Sequence, residues 1–173
     1  MAVKIRFINP DALVKPPSYT QVVEVTGPGR TIFIAGQLGT DRNGEVVGEA
    51  GDFRAQAVQV FENLKAALAA VGAGLADVVK LNSYLGDIAQ LPILREVRAG
   101  YLNAAALPAS TTLAVAGFAR PTALLEIEAV AVLPTQSAPV RPSRAKPSQA
   151  SAQRARGGAR ATKVKRARGK PKR

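Results

Sequence analysis

The run Phe53-Arg54-Ala55-Gln56-Ala57-Val58-Gln59-Val60-Phe61-Glu62-Asn63-Leu64-Lys65-Ala66-Ala67-Leu68 decides the class of fold. From Asp52 to Val71 the apolar residues Phe53, Ala57, Val60, Phe61, Leu64, Leu68 and Val71 recur at spacings of three and four, the mark of a helix with one buried stripe. Gly72 and Gly74 end it. Downstream, Asp77 to Leu85 returns to strand character through Val78-Val79-Lys80-Leu81-Asn82-Ser83-Tyr84-Leu85. A second helix is expected from about Ile88 or Pro92 to Leu102, with Leu94, Val97 and Tyr101 on one side. Two strands, Thr111 to Phe118 and Leu124 to Leu133, follow it.

Upstream, Gln21 to Val25 and Thr31 to Ala35 are β-branched and aromatic runs separated by Gly27-Pro28-Gly29, which reads as two strands joined by a turn. Asp41-Arg42-Asn43-Gly44 is another turn, followed by the short strand candidate Glu45-Val46-Val47-Gly48, so the opening third reads as a β-meander. Strands, helix, strand, helix, strands in that order imply the α+β class, a mixed sheet with both helices on one face. The other face, expected to carry residues such as Val23, Ile32 or Ile34, needs a partner. Burying roughly 700 Å² of such a face at ~25 cal/mol/Å² contributes on the order of 15 kcal/mol before association costs, so an oligomer is expected.

A chain of 173 residues with 47% apolar content suits one core and an appendage. Of the 24 Lys and Arg residues, 13 lie in residues 134–173, which hold no acid, so residues 1–133 carry 11 bases against 12 acids. The basic pI near 10.8 therefore describes the appendage. With no His and no Cys, the chain lacks the usual base near neutrality, thiolate nucleophiles, disulfides and soft metal ligands. Catalysis would fall to carboxylates, hydroxyls, Lys, Arg, backbone groups or water. Asn9-Pro10-Asp11 interrupts the N-terminus before a signal peptide could form, and the weakly polar run Ala66 to Ala76 is too short to span a bilayer. A cytoplasmic protein without membrane association is expected.

Asn9-Pro10, Tyr19-Thr20-Gln21, Ala35-Gly36-Gln37, Gln56, Asn63-Leu64, Asp77-Val78-Val79-Lys80, Tyr84-Leu85, Asp87, Pro108 and Glu126-Ile127-Glu128-Ala129 follow one another over residues 5–133. In order and spacing they resemble the RidA/YjgF family, also called endoribonuclease L-PSP. The resemblance implies a chorismate-mutase-like fold, a homotrimer, and small-molecule clefts between neighbouring subunits, with no cofactor and no metal. In deaminating members an Arg after Pro-Ala grips the substrate carboxylate, and a Glu in the final strand positions a water that attacks the imine carbon. Glu126 matches that Glu and is the catalytic candidate; Tyr19, Ala35, Gly36, Arg98 and Ser110 are the substrate-binding candidates. Three of these depart from the family pattern. Ser110 replaces the Arg, Ala35 stands where many members have Ser, and Arg98 stands where some deaminases have Asn. Losing the bidentate contact would weaken carboxylate binding tenfold to a few hundredfold, by roughly 1.5–3 kcal/mol. Arg98 suggests that the cation has moved to the second helix.

Each candidate also has a plainer reading. Glu126 and Glu128 share a strand face, as an acid pair or as a solvated surface. Tyr19 suits a cleft wall or an interface, Gly36 close backbone packing, and Gln37 the satisfaction of buried strand ends. Arg98 on an amphipathic helix is ordinarily a solvated charge, and Ser110 ordinarily a strand-start residue.

Residues 134–173, built from Ala, Pro, Ser, Gly, Lys and Arg without an aromatic, are expected to be disordered. Arg168-Gly169-Lys170-Pro171-Lys172-Arg173 is similar to the Arg-Gly-Arg-Pro core of AT-hooks, and the charge alone attracts nucleic-acid phosphates nonspecifically. Two functions follow from the whole reading. One is a small-molecule binding protein that hydrolyses imine or enamine metabolites at intersubunit clefts. The other is a non-catalytic ligand-binding or scaffolding trimer tethered to nucleic acid by the tail.

Overall fold

The computed structural model describes residues 3–135. Asp52 opens helix α1 (Phe53–Ala69) by accepting the Ala55 N–H on its side chain at 2.9 Å. Past its end Gly72 adopts φ +75°, and the Ala73 N–H returns to the Leu68 carbonyl at 2.9 Å. The stripe expected from the spacing is the buried one: Phe53, Ala57, Val60, Phe61, Leu64 and Leu68 are all in the core. Helix α2 (Leu91–Ala99) is shorter than expected and buries Leu94, Val97 and Arg98.

The strands are β1 (Lys4–Ile8), β2 (Val22–Thr26), β3 (Gly29–Leu38), β4 (Val78–Leu85), β5 (Ala109–Ala114) and β6 (Leu125–Pro134). Four form a mixed sheet in the order β3-β6-β4-β5, antiparallel except for the parallel pair β4 and β5. Along β4 and β6 burial alternates, and Leu81, Leu85, Leu125, Ile127, Ala129 and Ala131 meet the helices in one core. The fold is thus α+β, a mixed sheet with two helices on one face.

The meander expected of the opening third does not form. β2 pairs antiparallel with β1 in a separate two-stranded sheet, Ile8 opposite Val22 and Lys4 opposite Thr26, while β3 pairs with β6. Sequence neighbours are the usual partners, but β3 finds eight paired positions along β6, more than the five residues of β2 provide. The segment around Val46 makes only an isolated bridge to Thr40 rather than a strand.

The phase of β3 is also corrected. Ile32 and Ile34 pack against the helix-side core, and Phe33, 80% exposed, projects from the opposite face. Thr31-Ile32-Phe33-Ile34-Ala35 is apolar at both phases of a two-residue period, so alternation carries no choice there. The bare face is formed by Phe33, Val130 and the exposed Leu113, interleaved with Lys80, Asn82, Tyr84 and the two glutamates of β6.

Candidate functional site

Ser110 stands beside Leu81 in the parallel β4–β5 ladder and Thr112 beside Ser83, so both belong to the face that carries the helices. From α2, Arg98 reaches that strand. Its Nη1 donates to Ser110 Oγ at 3.2 Å and its Nη2 to the Ser18 carbonyl at 2.9 Å. The segment supplying this carbonyl is tied in place: the Thr20 hydroxyl donates to the Leu107 carbonyl at 2.6 Å and the Thr20 N–H to the Pro108 carbonyl at 3.2 Å. A cavity of about 230 Å³ opens here, lined by Ser18, Tyr19, Arg95, Arg98, Ser110 and Thr112.

Arg98 is only 5% exposed, which overturns its reading as a solvated surface charge. Among the described residues no carboxylate lies within ion-pair distance of it or of Arg95. Burial, and then the neighbouring charge of Arg95, pull the guanidinium pKa downward. An arginine nonetheless keeps its proton in proteins, so the cavity holds a fixed buried cation. Two of its five N–H donors are engaged by neutral groups, leaving three for a ligand.

A second group lies on the bare face. β3 bulges between Ile34 and Gln37, where the Gln37 side-chain amide donates to the exposed Ala35 carbonyl at 3.0 Å. Gly36 at this bulge presses on Glu126: a Cβ there would lie 1.7 Å from Glu126 Oε1. Only a residue without a side chain lets the carboxylate lie against this backbone. The other glutamate is tied up, since Glu128 Oε1 accepts from Asn82 Nδ2 at 2.7 Å and from the Tyr84 hydroxyl at 3.1 Å. No such side-chain bond engages Glu126 among the described residues. The hydrogen bond to Glu128, with burial and the charges of both glutamates behind it, raises the Tyr84 pKa. A cavity of about 380 Å³ beside this network is lined by Phe33, Ala35, Lys80, Asn82, Glu128 and Val130.

The substrate-binding candidates therefore fall into two sets. Tyr19, Arg98 and Ser110 share the cavity on the helix side of the edge strand β5. Ala35, Gly36 and Glu126 gather on the opposite face, Glu126 two strands away on β6 and the other two on β3 at the far edge. A single chain does not bring the sets together. Sequence reasoning missed Arg95, Thr112 and the Ser18 carbonyl. Arg95 precedes Arg98 by three residues, a helical spacing that could have flagged a shared face. Arg168, Gly169, Lys170, Pro171, Lys172 and Arg173, the nucleic-acid candidates, lie outside the described residues.

Residues 11–133 match the family model described as endoribonuclease L-PSP. The chain belongs to the endoribonuclease L-PSP family. Among its relatives, the 2-iminobutanoate/2-iminopropanoate deaminase of Dermatophagoides farinae is 34% identical over 116 residues, 66% of this chain and 85% of that one. The 3-aminoacrylate deaminase RutC of Acinetobacter baylyi is 34% identical over 116 residues, 67% of this chain and 90% of the relative. Among solved structures, the conserved Rid-family protein YyfB of Yersinia pestis, of unknown function, superposes with a TM-score of 0.68 at 39% identity, covering 75% of this chain and 98% of that one. The chain thus shares the YjgF fold of its structural neighbours. Among the described residues no helix is long and apolar enough to cross a membrane.

Proposed function

We propose that this protein binds small carboxylate-bearing imines or enamines and hydrolyses them to the 2-oxo acid and ammonia, in clefts between the subunits of a homotrimer. The observation that carries the reading is the buried Arg98 guanidinium, which opens on a cavity and has no carboxylate beside it among the described residues. A buried cation of this kind is stabilised by an anion that supplies two parallel acceptors. Relatives named as imine and aminoacrylate deaminases support the reaction class. The division of the site into two sets supports an intersubunit cleft, because a second copy is needed to bring a carboxylate to the arginine cavity.

In this reading Arg98 holds the substrate carboxylate, with Ser110 and Tyr19 as neighbours, and the partner's Glu126 holds a water beside the imine carbon. Glu126 accepts a proton as the water oxygen bonds to that carbon, giving a carbinolamine. With the imine nitrogen protonated at the outset, Glu126 then returns the proton to nitrogen and takes the hydroxyl proton as the C=O bond forms. The C–N bond breaks with its electron pair leaving on ammonia, which carries off that proton as ammonium, and a 2-oxo acid remains. Pressed against Gly36, the carboxylate has a defined place from which to do both steps.

Ammonia release from freshly generated 2-iminopropanoate and 2-iminobutanoate tests this. Glu126→Gln should lower kcat by about two orders of magnitude or more with little change in KM. Arg98→Ala should act mainly on KM, raising it tenfold or more, by roughly 1.5–3 kcal/mol of lost binding. A wild-type protein that releases no ammonia above the uncatalysed rate, or a Glu126→Gln variant of full activity, overturns the proposal.

A further inference from the structure

Arg95 and Arg98 stand three residues apart on α2 and line the same cavity, whose other lining residues are Ser18, Tyr19, Leu91, Ser110 and Thr112. None of these is acidic. Arg98 lies at the buried floor and Arg95 at the exposed rim, near enough for its charge to bear on Arg98. A monocarboxylate on Arg98 leaves the second cation uncompensated. Side chains three apart on a helix start about 5–6 Å from each other at Cβ. That separation suits two carboxylates on a short carbon chain better than the oxygens of one phosphate. On the single chain this recess measures about 230 Å³ and stands open.

We infer that Arg95 and Arg98 together make this pocket a receptor for short-chain dicarboxylates, Arg98 taking the carboxylate next to the reacting carbon and Arg95 the distal one. The inference names the substrate class of the proposed reaction and rests on that reading of the cavity. Arg95 is then the specificity-determining residue. Ser110 is part of the same arrangement: an arginine side chain at position 110 would fill the space in which Arg98 meets Ser110 Oγ.

Calorimetric titration of the full chain with succinate, butanoate and inorganic phosphate tests the inference without requiring turnover. Succinate should bind about tenfold or more tighter than butanoate, and phosphate more weakly than succinate. Arg95→Gln changes an exposed side chain and should reduce the succinate-to-butanoate preference about tenfold. Equal affinities, tighter phosphate binding, or a preference that survives Arg95→Gln overturns the inference. Ammonia release from 2-iminosuccinate and 2-iminobutanoate separates it from the reading beneath it. Equal kcat/KM for the two keeps the reaction and overturns the dicarboxylate receptor. Dicarboxylate binding that depends on Arg95, without hydrolysis of either imine, keeps the receptor and overturns the reaction.

Discussion

Arg98 and Ser110 meet across the seam between α2 and β5, guanidinium to hydroxyl at 3.2 Å. One position is small and neutral where the resemblance implies a cation, and the other carries a cation where it implies an amide. In the proposed function this pair exchanges the element that delivers a buried positive charge, α2 for β5.

The exchange should be reversible only as a pair. Ser110→Arg places a second guanidinium against the buried first one, and two unpaired cations in one recess should cost about 3 kcal/mol of stability. The drop should appear as a lowered urea midpoint. Ser110→Arg combined with Arg98→Asn should recover most of it, and the non-additivity of the double variant measures the coupling.

Gly36→Ala should separate catalysis from folding. The new methyl falls on Glu126 Oε1 and within 2.9 Å of its Cγ, so the whole side chain must turn aside, at a stability cost of about 1–2 kcal/mol. Displacing the group that positions water should lower kcat by about two orders of magnitude. Thermal melting beside steady-state kinetics reads both effects.

Phe33→Glu should break the proposed trimer. Phe33 is 80% exposed on the bare sheet face, beside Val130, and a carboxylate there replaces apolar area that a subunit interface would bury with a charge that must be desolvated. Sedimentation should show a trimer for the parent chain and a monomer for the variant. Deaminase activity should fall with the trimer, because each cavity then loses the glutamate of its neighbour.

Tyr84 predicts a pH dependence at the alkaline end. Its hydrogen bond to Glu128 raises the phenol pKa above that of a free tyrosine, about 10. A folded-state pKa above the unfolded one means that the contribution is fully present below the unfolded value and is lost as pH rises through the folded value. Unfolding free energy should therefore decline above about pH 10, and Tyr84→Phe should flatten that limb. Difference titration of the phenol absorbance against Tyr84→Phe should show this tyrosine ionising late.

Much of this protein was decided locally. The spacing of three and four from Phe53 to Leu68 marks the buried side of α1, and Asp52 caps it, because both depend on residues within a turn or two of one another. Alternation likewise marks the inner faces of β4 and β6, where apolar and polar residues trade places cleanly. Even the burial of Arg98 had a local sign, since it lies four residues past Leu94 on the stripe that also holds Val97. Its charge argued for solvent, and the charge misled.

What only the tertiary structure decided is which distant elements meet. β3 chose β6 over its neighbour β2, and its five apolar-rich residues from Thr31 to Ala35 could have faced either way until that ladder set the phase. The same long-range pairing put Ser110 on the helix side of the sheet and Glu126 on the other, dividing the candidate site. Such choices depend on contacts between residues far apart in the chain, and a periodicity read within one segment carries no term for them.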